Sequence, residues 1–189
     1  VDIDYFTSKG IKAIQQLENK KKNKSLFFKR VVLATEIINN LHREITFGHV
    51  KLQKLMYLCE EVSNMEVTRR YVKQAAGPYD RKFMHSIDKE LVRLKWFKVE
   101  VSKHNGYQSY KYFPDSKLNS YKSFYENYFN ENINIIKWLI KTFKNNPTSK
   151  VELVATIYYC LNEFKVDNNA FNEENLIKRV FDWSIEKKK

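Results

Sequence analysis

The sequence predicts a mainly helical α+β fold, in which a helical bundle carries one β-hairpin. Only 4 Gly and 3 Pro occur in 189 residues, which is few for an all-β sandwich or a glycine-rich nucleotide-binding loop. Apolar residues recur at helical spacing over most of the chain. In the two segments on either side of an Asn-Gly turn, the residue pattern alternates between the two faces of a strand. We therefore expect helices to dominate.

The first predicted helix covers residues 2–22 and has no core of its own. We expect it to pack on a partner or to continue from an upstream domain, because an isolated helix is marginal in water. A basic hinge is predicted next, with Ser25 as the N-cap of the following helix. The hinge residues are Lys20, Lys21, Lys22 and Lys24.

Two core helices are predicted over 26–45 and 49–63, where apolar residues form broad stripes. Residues 65–76 lack helical period and predict an extended linker. The stripe of the second helix leaves its charged residues mostly on the outside: Lys51, Lys54, Glu60 and Glu61.

The segment Gly77-Pro78-Tyr79-Asp80 predicts a turn and a helix start. Pro78 disfavours α geometry at Gly77, and Asp80 can accept from the free amides of a helix over 80–96. FKVEVSK (97–103) and YQSYKYF (107–113) flank His104-Asn105-Gly106 and predict a β-hairpin. Helices over 118–144, 149–164 and 173–186 are expected to follow.

Charge is concentrated in two segments of this basic chain. The net charge is +12, from 34 basic and 22 acidic residues; residues 20–30 hold six basic and no acidic residues, and 81–117 hold nine basic and four acidic ones. A surface of one sign attracts polyanions such as nucleic acid. The alternative is a solvated face or a protein-binding face.

Residues 49–113 follow the order of a winged helix-turn-helix, in which the later helix and the hairpin approach DNA. Asp88 and Glu90 interrupt the basic stripe of that helix, and 64–79 is longer than the usual turn. The candidate phosphate contacts are Arg81, Lys82, His85, Lys89, Arg93, Lys95, Lys98, Lys103 and Lys111.

Three units are therefore predicted. Residues 1–25 form a linking helix and basic hinge, 26–116 a winged-helix-like domain, and 117–189 a C-terminal helical bundle packed on it.

Motifs for catalysis or metal binding do not occur. The four histidines have no ligand spacing to Cys, Asp or Glu, and no nucleophile elbow or phosphate-binding loop is present. We expect no enzyme activity, metal, cofactor or small-molecule substrate; a small nuclease is the least favoured alternative. Cys59 and Cys160 predict buried free thiols in a reducing, cytoplasmic compartment, and no apolar run suggests a membrane segment.

Four segments carry a family resemblance: TFGHVKLQKLMYLCEE (46–61), AAGPYDRKFMHSI (75–87), LVRLKWFKV (91–99) and SKVELVATIYYCLNEF (149–164). Together they resemble the C-terminal helical extension of type I restriction–modification subunits, chiefly the DNA-specificity subunit. The KLxKLxY helix and the Gly-Pro turn are distantly similar to the Panacea antitoxin domain. The resemblance covers roughly residues 26–185.

This resemblance implies a non-catalytic accessory module of a restriction complex, which contacts double-stranded DNA or positions other subunits. The alternative is a protein-interaction module that docks a partner subunit or acts like an antitoxin without DNA contact. Its contact surface would include the helix over 2–22, exposed aromatic residues of 107–129, and the interface candidates Gly77, Pro78, Tyr79 and Asp80.

Overall fold

The computed structural model describes residues 3–65, 71–104, 106–166 and 172–183. Within these ranges the chain forms seven α-helices, one 3₁₀ turn and two antiparallel two-stranded sheets. Parts of four predicted elements lie outside the described residues: residue 2 of the first helix, the linker residues 66–70, the turn residue Asn105, and the end of the last helix at 184–186. The mainly helical character is confirmed.

Helix α1 (Ile3–Leu41) runs without a break through the predicted hinge. The hinge prediction is wrong, because Lys is a good helix former and no Gly or Pro occurs between residues 20 and 25 to interrupt the helix. Ser25 therefore lies inside the helix and not at an N-cap. Most residues of α1 from 30 to 41 are buried, whereas residues 11–25 are exposed on every side.

Helix α2 (His49–Val62) occupies the centre of the fold, and ten of its 14 residues are buried. It packs against α1 and against two C-terminal helices, α5 (Ile133–Phe143) and α6 (Thr148–Val166). The prediction that Lys51, Lys54 and Glu60 face outward is wrong, since all three are fully buried. These neighbours surround α2 and supply partners to its charged groups. Residues outside the apolar stripe of α2 are therefore buried as well.

Lys51 illustrates how such a charge is held. Its Nζ donates to the carbonyl oxygens of Lys144 at 2.9 Å and Asn146 at 2.7 Å, and to the Thr46 hydroxyl at 3.0 Å. Lys51 thereby satisfies free carbonyls just after the end of α5, where helices lack internal donors. Burial lowers the pKa of Lys51, although the nearby Glu44 opposes this effect.

Two hairpins flank helix α3 (Arg81–Arg93). Strands β3 (Phe97–His104) and β4 (Tyr107–Pro114) confirm the predicted hairpin, with Val99 opposite Tyr112 and Gly106 at φ +81° in the turn. The other hairpin pairs β1 (Val72–Gln74), which lies in the predicted extended linker, with β2 (Gly77–Tyr79), which lies in the predicted turn at 77–80. Three-residue strands contain too few positions for an alternating pattern to be detected in the sequence.

The predicted single helix over 118–144 is divided into shorter elements. A 3₁₀ turn (Leu118–Tyr121) leads into α4 (Lys122–Phe129), and α5 starts only at Ile133. At the break, the Asn130 side chain accepts from the amide of Glu131 at 2.7 Å, which is the local competition that makes Asn a poor helix residue. Helix α6 and helix α7 (Glu173–Phe181) follow, and α7 packs on α6.

One cluster of buried apolar side chains joins these elements. It includes Val31 and Leu33 of α1, Trp96 just before the hairpin, Phe97 at the start of β3, and Ile136 of α5. The cluster therefore contains residues from both sides of position 116, where the second and third predicted units meet.

Candidate nucleic-acid interface

Helix α3 is positioned by its N-cap and by its buried face. The Asp80 carboxylate accepts from the amide of Phe83 at 3.0 Å, as predicted, and Phe83, Met84, Ile87 and Leu91 are buried. The opposite surface is basic and exposed. It carries Arg81, Lys82, His85, Lys89 and Arg93.

The two acidic residues of α3 are engaged at the margins of this basic face. Asp88 Oδ2 lies 2.8 Å from His49 Nε2, and the Tyr112 hydroxyl donates to Asp88 Oδ1 at 3.1 Å. Glu90 accepts from Arg93 at 2.8 and 2.5 Å. These hydrogen bonds from Arg93 lower the pKa of Glu90 despite its partial burial. Both carboxylates are thus already held by neighbouring groups.

The lysine-rich segment of α1 lies on one side of α3. Asn23 and Phe27 of α1 and Lys82 and Ser86 of α3 line a common pocket of about 130 Å³. The charge of Lys24 is also close enough to contribute to the lowered pKa of Glu90. The four predicted hinge lysines, Lys20, Lys21, Lys22 and Lys24, are exposed on this helix.

The β3–β4 hairpin lies on the other side of α3, and its lysines are divided between its two faces. Lys98 and Lys111 belong to the exposed face, where Lys111 stands opposite Glu100. Lys103 is five residues from Lys98 and so belongs to the opposite face, because side chains alternate along a strand. Lys95 precedes the hairpin with φ +57° and is exposed.

His49 connects the β3–β4 hairpin to helices α2 and α3. The sequence patterns did not identify this role. Its ring stacks on Tyr110 with centroids 3.3 Å apart and an interplanar angle of 14°, while its Nε2 approaches Asp88. His49 thereby links the first turn of α2, β4 and α3. The one signal in the sequence is its place at the predicted start of a core helix.

Most of the predicted interface segment 77–80 is explained by packing within the chain. Gly77 has φ +86°, and a Cβ there would lie 2.7 Å from Thr156 Oγ1 on α6. The carbonyl of Pro78 accepts from the buried Lys54 Nζ at 2.5 Å. Gly77, Pro78 and Asp80 are buried, and only Tyr79 remains half-buried as a candidate contact.

Asp80 also belongs to a buried ion cluster that sequence reasoning missed. Arg30 Nε donates to Glu60 and Arg30 Nη1 donates to Asp80, each at 2.7 Å, and Nη2 donates to the Tyr71 hydroxyl at 3.1 Å. Burial lowers the pKa of Arg30, but the interactions with Tyr71, Glu60 and Asp80 outweigh it and raise the pKa above its ordinary value. The cluster joins α1, α2 and the start of α3.

Aromatic residues of 107–129 are less exposed than the docking alternative expects. Phe113 and Phe124 are exposed, whereas most of the other described rings are buried. The buried ones are Tyr112, Tyr121, Tyr125 and Phe129.

The described residues contain no cluster of three or more His, Cys, Asp or Glu side chains that could hold a metal ion. Cys59 and Cys160 are free and buried, and burial raises the pKa of both thiols. Among the described helices, none is both long and apolar enough to cross a bilayer. Comparison with known proteins gave no match to any family model or curated protein.

Proposed function

We propose that the chain is a non-catalytic DNA-binding and assembly module, in which the exposed face of α3 contacts the phosphates of double-stranded DNA. The observation that carries this proposal is the basic face itself: four exposed Lys and Arg residues and His85 on one helix, with both acidic residues engaged at its margins. Lys and Arg side chains on such a face replace condensed counterions along DNA.

The flanking elements support the same surface. The α1 lysines lie beside one edge of α3, and the hairpin follows α3 as a wing follows a recognition helix. In this winged-helix-like arrangement, α3 would enter a groove while Lys98 and Lys111 contact the backbone. Because these contacts are with phosphates, we expect affinity without strong sequence preference.

The assembly part of the proposal rests on the resemblance of residues 26–185 to the extension of type I restriction–modification subunits. In such a complex the module would add DNA affinity or position a neighbouring subunit. Docking without DNA contact is the competing function, favoured by the exposure of residues 11–25 of α1.

Fluorescence anisotropy of a labelled duplex tests the DNA contact. The double variant Lys82→Glu/Lys89→Glu reverses two charges of the α3 face, and we expect it to bind about 10- to 100-fold more weakly near 50 mM salt. The matched control Lys137→Glu/Lys141→Glu makes the same charge change at exposed positions of α5 and should bind nearly as tightly as the wild type. Equal losses in both variants, or no binding by the wild type, would contradict the proposal.

A further inference from the structure

The pocket between α1 and α3 is not used by the proposed phosphate contacts. Its volume is about 130 Å³. Pockets that enclose drug-sized ligands measure about 300–1,000 Å³, so this pocket has room for a single ring system. Asn23, Lys82 and Ser86 are exposed and form its mouth, whereas Arg30 and Asp80 are buried and form its floor.

The walls of this pocket are apolar and aromatic. Leu26 and Phe27 of α1 and Phe83 of α3 line it, and the two phenyl rings meet edge to face with their centroids 6.1 Å apart. The Arg30 guanidinium lies 3.9 Å from the centroid of the Phe83 ring. Nucleobases stack on phenyl rings and on guanidinium planes. The pocket therefore offers surfaces that suit a flat aromatic ligand.

The floor retains capacity to donate and to accept hydrogen bonds. Arg30 has five N–H donors. Within the described residues three of them are bonded, to Glu60, Asp80 and Tyr71. Each Asp80 oxygen accepts one hydrogen bond, from the Phe83 amide or from Arg30, although a carboxylate oxygen can accept two. A nucleobase presents both acceptors and donors at its edge, so it matches both groups on the floor.

The charges of the pocket favour a phosphate at the mouth and not at the floor. Two carboxylates pair with the Arg30 guanidinium, so another anion buried beside Asp80 would be repelled. Lys82 is exposed at the mouth, and Lys24 follows the mouth residue Asn23 on α1. A ligand with a neutral ring and a phosphate at one end fits this distribution of charge.

We propose that the pocket between α1 and α3 binds one unpaired nucleotide of DNA, with its base between Phe27 and the Arg30 floor and its phosphate at Lys82. The inference rests on the proposed function, because α3 brings the DNA to the mouth of the pocket. It adds a preferred ligand, which is DNA that carries a base outside the stack. Such a base enters the pocket without the cost of opening a base pair.

Two labelled duplexes that differ in one base test this inference. Each carries a single-nucleotide bulge, which is an adenine nucleotide in one duplex and an abasic nucleotide in the other. In fluorescence anisotropy the wild type should bind the adenine bulge about 5- to 100-fold more tightly, as expected for the stacking of one base. Equal affinities overturn the inference, while salt-dependent binding of both duplexes would still support the proposed function.

A variant with a filled mouth tests the location. Ser86→Trp places an indole ring at the mouth and should make the two duplexes bind alike; Ser86 is exposed, so the fold should persist. If the indole also disturbs the phosphate contacts of α3, both duplexes weaken equally and their ratio does not change. Ser123→Trp is the matched control, because Ser123 is exposed on α4, and it should keep the wild-type preference. A preference that survives Ser86→Trp overturns the assignment to this pocket.

Titration with deoxyadenosine monophosphate tests the pocket without a duplex. At millimolar nucleotide, ¹H–¹⁵N spectra of the full chain should show shifts at residues 23–30 and 80–86 in the wild type and not in Ser86→Trp. Deoxyribose 5-phosphate, which lacks the base, should shift these signals much less. The absence of shifts in the wild type overturns the inference, whether or not the chain binds duplex DNA.

Discussion

Replacement of Arg30 by methionine should destabilise the protein by about 3–5 kcal/mol, because Arg30 is a buried cation that pairs with two buried carboxylates. Its guanidinium lies 2.7 Å from both Glu60 and Asp80, and all three side chains are at most 5% exposed. Methionine occupies a similar volume, so the main change is the removal of the positive charge.

The magnitude follows from the burial of the cluster. Removal of one partner from a buried ion pair leaves the other charge in a medium of low polarity, which is why the cost exceeds that of a surface pair. Arg30 also lies 3.9 Å above the Phe83 ring, and this contact is lost as well. Since domains are stable by about 5–15 kcal/mol, Arg30→Met should remove a large fraction of the total. The expected fall in melting temperature is about 6–20 °C.

Urea unfolding followed by circular dichroism measures this loss. Arg93→Met is the matched control, because Arg93 also pairs with a carboxylate, Glu90, but its side chain is 66% exposed. Its unfolding midpoint should stay close to that of the wild type. Glu60→Gln supplies a milder variant if Arg30→Met does not fold, and it should be destabilised in the same direction. Equal midpoints for the Arg30 and Arg93 variants would refute the reasoning.

Three further predictions concern other buried groups of the fold. Gly77→Ala should destabilise the fold more than Gly106→Ala, since both glycines have positive φ but only Gly77 would clash with a neighbour; thermal melts of the two variants compare the costs. Lys51→Met removes the donors to the carbonyls that follow α5 and should lower the free energy of unfolding in urea by about 1–3 kcal/mol. An unfolding midpoint equal to that of the wild type would argue against this role of Lys51. Burial raises the pKa of the Cys59 and Cys160 thiols. Both should therefore react slowly with a thiol reagent at pH 8 in the native protein and rapidly in urea. Fast labelling of the native protein would contradict their burial.

Local signals in the sequence were sufficient to predict the secondary-structure elements that border the candidate site. The Asn-Gly turn and the alternation around it predict the β3–β4 hairpin, and Asp80 predicts the start of α3. The basic residues of α3 are exposed as their spacing against Phe83 and Ile87 indicates. These features depend on residues close together in the sequence.

Features that depend on distant residues could not be predicted in this way. The hinge was inferred from a run of lysines, yet repulsion between neighbouring exposed lysines is too weak to break α1. Lys54 and Glu60 were placed outside, because nothing near them in the sequence shows that β2 and α1 supply their partners. The Arg30 cluster spans 50 residues between Arg30 and Asp80, so it is defined only by the fold.

The spacing of the hairpin lysines holds information that the set of candidate phosphate contacts did not use. An odd spacing on a strand places Lys98 and Lys103 on opposite faces. The hairpin therefore offers Lys98 and Lys111 together, and Lys103 separately. For this reason the proposal relies mainly on α3.

The salt dependence of duplex affinity is the most direct test of the central claim. Several phosphate contacts should weaken wild-type binding by about two to four orders of magnitude between 50 and 200 mM salt. The neutralised variant Lys82→Gln/Lys89→Gln should show a slope of log affinity against log salt that is shallower by about 2. An unchanged slope in this variant would show that the α3 face does not contact the phosphates and would contradict the account.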